Sequence, residues 1–79
     1  MERNPLRRAR VAAEIRAELA RQNKSKASLA QAAGISPDTL RRRLNGVYPF
    51  AIEEVDAICV FLGIPIAEFV ARARADARV

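Results

Sequence analysis

Serine, glycine and proline divide residues 25–46, SKASLAQAAGISPDTLRRRLNG, into two short helices joined by a fixed turn. Ser25 is a helix N-cap residue, whose hydroxyl can accept from a backbone N–H that the first turn leaves unpaired. Leu29, Ala30 and Ala33 follow at helical spacing. Gly34 can take the left-handed conformation that ends a helix, and Ile35, apolar within a turn, is expected to plug into a core. Ser36 caps the next helix, Pro37 occupies its first turn, and Asn45-Gly46 closes its far end.

The same punctuation organises the rest of the chain. Asn4 caps a first helix with Pro5 at its first position; Val11, Ile15 and Leu19 then recur at every fourth residue beside Ala12, and Gln22-Asn23-Lys24 ends it. Val47-Tyr48-Pro49-Phe50 reads as a loop whose apolar side chains fold back onto the core, with Tyr48 and Phe50 packing there rather than stacking on a partner. Ile52, Val55, Ile58, Cys59 and Leu62 mark a fourth helix stopped by Gly63, and Cys59 on that stripe reads as a core residue. After Ile64-Pro65, a fifth helix presents Ile66, Phe69, Val70 and Ala73, either to the chain's own core or to a second copy. The closing ARARADARV is compatible with helix but lacks an apolar stripe. No strand signal, internal repeat or long linker appears. The expectation is an all-α, five-helix single domain over residues 1–79, with a globular core at 5–70 and a frayed helical tail at 71–79.

Composition narrows the chemistry. The lone cysteine excludes an internal disulfide, and without histidine the usual zinc ligand count cannot be reached. No apolar run approaches the ~20 residues that span a bilayer, and the charged N-terminus is not followed by the apolar stretch of a signal peptide. A soluble cytoplasmic protein without cofactor, metal or membrane partner is expected. No acid–base or nucleophile constellation is visible, so enzymatic function is not expected. The net charge of +5 is unevenly spread: residues 1–23 carry +3, residues 24–50 carry +4, and residues 51–79 carry −2. Such a distribution suits a chain whose first two thirds face a polyanion, although solvated basic helices would give the same count. Arg7, Arg8 and Arg10 are open to both readings, as an arm or as a solvated face.

The third helix carries the sharpest chemistry. Leu40 and Leu44, four apart, define its inner side; Asp38, Arg42 and Asn45 fall opposite, and Arg41 and Arg43 lie about 80° to either side of the buried pair. The major groove of B-DNA admits one helix, and arginine can grip guanine O6 and N7 through two hydrogen bonds. Asp38 could accept from a cytosine amine; alternatively, Asp38 and Arg42 form a solvated i,i+4 ion pair.

The stretch LAQAAGISPDTLRRRLNG, with EEVDAICVFLGI downstream, resembles the phage repressor and Cro-type helix-turn-helix domain over residues 14 to about 70. Leu29-Ala30, Gly34, Leu40, Asn45-Gly46, Glu53-Glu54 and the LGI at 62–64 stand at that family's spacing. The resemblance implies a compact lambda-repressor-like fold with residues 36–45 as the recognition helix. It implies base contacts from Pro37, Asp38 and Arg42, with Arg41 close by. Ser25, Lys26, Thr39, Arg43 and Asn45 are the expected phosphate contacts. Three positions depart from the family: Pro37 replaces a polar residue, Arg43 a common apolar one, and Leu44 a glutamate that often pairs with a first-helix arginine.

The function implied is a sequence-specific, double-stranded-DNA-binding transcriptional regulator, a Cro-like or repressor-like phage or prokaryotic protein. It would act as a homodimer on paired half-sites or as a monomer on one. The alternative is a protein-interaction module on the same fold, an antitoxin or antirepressor.

Overall fold

The apolar stripes of all five predicted helices converge on one buried cluster. In the computed structural model, which describes residues 8–76, the helices are α1 (Arg8–Gln22), α2 (Lys26–Ala33), α3 (Pro37–Leu44), α4 (Ile52–Leu62) and α5 (Ile66–Asp76). Ile15 and Leu19 of α1 meet Leu29 and Ala30 of α2, Leu40 and Leu44 of α3, Ile58, Cys59 and Leu62 of α4, Ile64, and Phe69 of α5. α1 runs through the middle of the assembly, packing on α3, α4 and α5, while α2 is held between α3 and α4. Leu29, without exposed surface, and its neighbours seat the two shortest helices on this core. The expected cap at Asn4-Pro5 lies outside the described residues, as do residues 77–79. α5 extends through residues 71–76.

Each of the first four helices ends by closing on itself. The N–H of Lys24 donates to Leu19, that of Ile35 to Ala30, that of Val47 to Arg42 and that of Ile64 to Cys59, all at 3.0 Å. These bonds return from beyond the helix end to carbonyls that would otherwise be orphaned. The bond from Ile35 requires a left-handed residue before it, and Gly34 supplies φ 71°. Side chains from α1's end complete the far end of α4: Gln22 Nε2 donates to the Leu62 carbonyl at 2.8 Å, and Lys24 Nζ to that of Phe61 at 2.9 Å, with the ammonium 4.6 Å from the Phe61 ring centroid.

Two expectations are corrected. Ile52 is 76% exposed although it shares the face of Cys59 seven residues on, because it stands at the first position of α4, nearly two turns before the buried set Ile58, Cys59 and Leu62. In the following-turn loop only Phe50 packs against the core; Val47 and Tyr48 stay more than half exposed. On α5, Phe69 completes the chain's own core, while Ile66 is 41% exposed.

Two carboxylates are buried that the apolar pattern did not mark. Glu14 and Glu18 lie on α1 beside the core. Arg21 Nη2 reaches Glu14 at 2.7 Å, and Arg21 Nε reaches Glu18 at 2.8 Å. Gln22 Nε2 also donates to Glu18 at 2.7 Å, and Arg72 of α5 does so at 3.1 Å while pairing with Glu68. Glu18 therefore joins α1 to α5 directly and to the end of α4 through Gln22. Burial of a carboxylate is costly unless its oxygens are occupied, and here they are.

The Gln22 hydrogen bond, working against desolvation and helped by Arg21 and Arg72, holds the Glu18 carboxyl below its ordinary value. A lowered folded-state pKa contributes stability that is fully present above the unfolded value, roughly pH 4.3, and lost as pH falls through the folded value. Thermal melts across that range should show the native chain losing melting temperature as pH falls. Glu18→Gln should start less stable and lose less. In the core, Leu29→Ala should cost about 2–5 kcal/mol in denaturant titrations.

Candidate nucleic-acid interface

α2 and α3 begin with the same device. Ser25 has extended backbone (φ −87°, ψ 153°), and its Oγ accepts from the Ser28 N–H at 3.0 Å while donating to Ser28 Oγ at 2.9 Å. Ser36 repeats this with Thr39, accepting from its N–H at 3.1 Å and donating to its Oγ1 at 2.9 Å. Pro37 fills the first position of α3, where no N–H is needed. Between the helices, the Gly34 turn and the Ile35 side chain packed on the core fix how the second helix leaves the first. An added Cβ at Gly34 would meet nothing within 4 Å, so the requirement there is backbone conformation and not space.

Leu40 and Leu44, each 2% exposed, anchor α3. Pro37, Asp38, Arg41, Arg42 and Asn45 are exposed, and Thr39 is half-buried. Asp38 sits in the first turn and the arginines in the last, the arrangement that complements the helix dipole at both ends. The Asp38 carboxylate holds two guanidiniums at once: Arg41 through a hydrogen bond, and Arg42, whose Nη2 lies 3.3 Å from Oδ2. The Arg41 hydrogen bond, with the charge of Arg42 beside it, keeps the carboxyl below the ordinary aspartate value. The three side chains are more than half exposed, so the cluster is an organised donor and acceptor array in water and adds little to stability.

A shallow cleft brings Lys26 and Ala27 of α2 beside Pro37 and Arg41 of α3, its C-cap Asn45, and Arg16 of α1. The Ser28 N–H is taken by Ser25 Oγ, and Leu29 N–H returns to the Ser25 carbonyl at 3.2 Å. The N–H groups of Lys26 and Ala27 have no acceptor among the described residues. Backbone donors, the positive end of α2 and two or three cations thus share one surface, the combination that suits an anion.

Two arginines occupy places that the sequence did not indicate. Arg43 does not share the outer face. It is half-buried and paired with Glu54 of α4, whose Oε1 also accepts from the Ala51 N–H at 2.8 Å. The α3 wheel gave the angle of Arg43 but not the carboxylate waiting on the neighbouring helix. Arg16 donates to the carbonyl of Leu44 at the last turn of α3. A first-helix arginine therefore does reach the end of this helix, although no glutamate stands at position 44; the acceptor is backbone. Among the expected site residues, the cleft gathers Lys26, Pro37, Arg41 and Asn45, and the ion-pair cluster joins Asp38, Arg41 and Arg42. Ser25 and Thr39 spend their hydroxyls inside the caps.

No helix among the described residues is long and apolar enough to cross a membrane, and no group of metal-ligating side chains occurs among them. The model of the Cro/C1-type helix-turn-helix DNA-binding domain matches residues 14–73. No curated protein and no solved structure matches the chain.

Arg43→Ala should lower stability by about 1–3 kcal/mol, because it strips a partly buried carboxylate of its charged partner. Gly34→Ala should cost about 1–2 kcal/mol through left-handed strain. Chemical denaturation checks both, and a larger loss from an exposed Arg41→Ala than from Arg43→Ala would contradict the placement.

Proposed function

The chain belongs to the Cro/C1-type helix-turn-helix DNA-binding family, and from that premise we propose that it is a sequence-specific transcriptional regulator. It acts without catalysis, as a Cro-like or repressor-like phage or prokaryotic protein of the cytoplasm, with double-stranded DNA as its partner. The observation that carries this reading is the outer face of α3. Pro37, Asp38, Arg41 and Arg42 stand exposed there, next to the cationic start of α2.

In this reading α3 lies in the major groove and the start of α2 abuts a phosphate. Lys26, the free N–H groups beside it and Asn45 set register on the backbone, contributing affinity that salt weakens. Arg42 grips guanine O6 and N7, and Asp38, released by it, accepts from a cytosine amine. In the free protein Asp38 pairs with both arginines on the exposed face of α3, and these pairs exchange for base contacts at little cost. Pro37 has no donor to offer and selects by apolar contact, as with a thymine methyl. Arg43 is left out of the contact surface because Glu54 already holds it.

Selection from random duplexes followed by footprinting tests the reading, and two substitutions separate the roles. Arg42→Ala should cost about 1–3 kcal/mol and relax preference at one base pair, whereas Lys26→Ala should weaken all sequences alike and reduce the salt slope by about one. Losses of the same kind from both variants would overturn the assignment. Asp38→Ala should broaden the selected site at the pair next to that read by Arg42.

A further inference from the structure

The cleft at the start of α2 is lined for more than a phosphate. Of the chain's 14 cationic side chains only Lys24 and Lys26 are primary amines; the rest are guanidiniums. An amine can shed its proton and accept an acyl group, whereas a guanidinium stays charged. The two amines are placed differently. Lys24 Nζ donates to the Phe61 carbonyl at 2.9 Å and lies 4.6 Å from that ring's centroid, so it is tied to the end of α4. Lys26 is exposed at the first position of α2, and its ammonium has no hydrogen bond or ion pair among the described residues. Nor does α2 gain from it, since a positive charge at a helix N-terminus opposes the dipole.

The walls around Lys26 are of two kinds. Arg16 and Arg41 are cationic, while Ala27, Pro37, Leu40 and Leu44 are apolar. A duplex phosphate would use the first set and leave the second idle. The cleft encloses about 290 Å³, at the lower end of small-molecule sites, which run from roughly 300 to 1,000 Å³. Such walls suit a small molecule with an anionic end and an apolar end.

We propose that Lys26 is acylated by acyl phosphates held in this cleft, and that the modification lowers affinity for DNA. The phosphoryl group sits against Arg16 and Arg41 and the acyl group against the apolar wall, which brings the carbonyl carbon between them to Nζ. The amine, in its neutral form, attacks that carbon. A C–N bond forms, the C–O bond to the phosphoryl group breaks, and the amine's proton leaves with the phosphate; the products are an amide and inorganic phosphate. Docking turns an encounter between two solutes into a reaction within one complex. A neutral amide then stands where the duplex backbone would meet a cation. The loss of DNA affinity rests on the DNA-binding reading above, whereas the acylation does not.

Incubating the full chain with acetyl phosphate and locating acetylated lysines by peptide mass spectrometry tests this. Lys26 should be labelled about tenfold or more faster than Lys24. Inorganic phosphate, compared with chloride at equal ionic strength, should slow labelling of Lys26 and not of Lys24, and Arg41→Gln should do the same. Labelling by acetic anhydride, which has no phosphoryl group to dock, should be indifferent to Arg41→Gln. The acetylated chain should keep its melting temperature and bind the selected duplex more weakly, with a salt slope reduced by about one. Lys26→Arg, treated identically, should keep its affinity. Equal labelling of the two lysines, or labelling of Lys26 that phosphate does not slow, would overturn the proposal while leaving the DNA reading intact. Selective labelling that leaves duplex affinity unchanged would defeat the regulatory role. Selective labelling of a chain with no affinity for any duplex would uphold the acylation site and sink the function proposed above.

Discussion

Helices of eight residues do not stand alone in water, because the cost of nucleating the first turn is not recovered over so short a length. α2 and α3 both have this length, so the surface they present depends on Leu29, Leu40 and Leu44 being buried against Ile15 and Leu19 of α1. Side chains pin α3 from two directions beyond this. Arg16 holds its last turn through the Leu44 carbonyl, and Glu54 holds Arg43. α1 is fixed in turn by Glu18, which reaches α5 through Arg72 and the end of α4 through Gln22. The outer face of α3 is free to carry polar chemistry because its inner face and both flanks are committed elsewhere.

What could be read from the sequence is what local chemistry decides. The caps at Ser25 and Ser36, the glycine at 34 and the stop at Gly63 act within a few residues of themselves, and each works as its residue type requires. The inward pair Leu40 and Leu44 was equally legible, since four residues make nearly one turn. What escaped depends on neighbours distant in the chain. Ile52 has the spacing of a core residue but lies at a helix start that no other element covers. Glu14 and Glu18 are of a type seldom buried, and only the proximity of Arg21, Gln22 and Arg72 permits it. The acceptor for Arg16 is a carbonyl, which no side-chain pattern encodes. Arg43 kept the angle that the wheel assigned, and Glu54 determined what lies at that angle.

Charge on the outer face of α3 is arranged as well as abundant. Three arginines in succession would repel one another and sample many rotamers. Asp38 draws two of them to one side, and Glu54 removes the third. The positive end of α2 and the arginine-bearing end of α3 then open on the same cleft. The balance between one exposed acid and its two partners is soft, since all three lie in water and can exchange partners at little cost.

The self-closing helix ends have a mechanical consequence. Bonds that return from Lys24, Ile35, Val47 and Ile64 to the preceding helix fix the direction in which the chain leaves each of the first four helices. On the DNA-binding reading proposed above, a body whose helix exits are tied in this way would adjust little to the groove it enters. When shapes differ, the duplex must yield, and the energy of bending or twisting it depends on base steps that no side chain touches. Under that proposal, stiffness in the protein would be a second way of distinguishing one sequence from another.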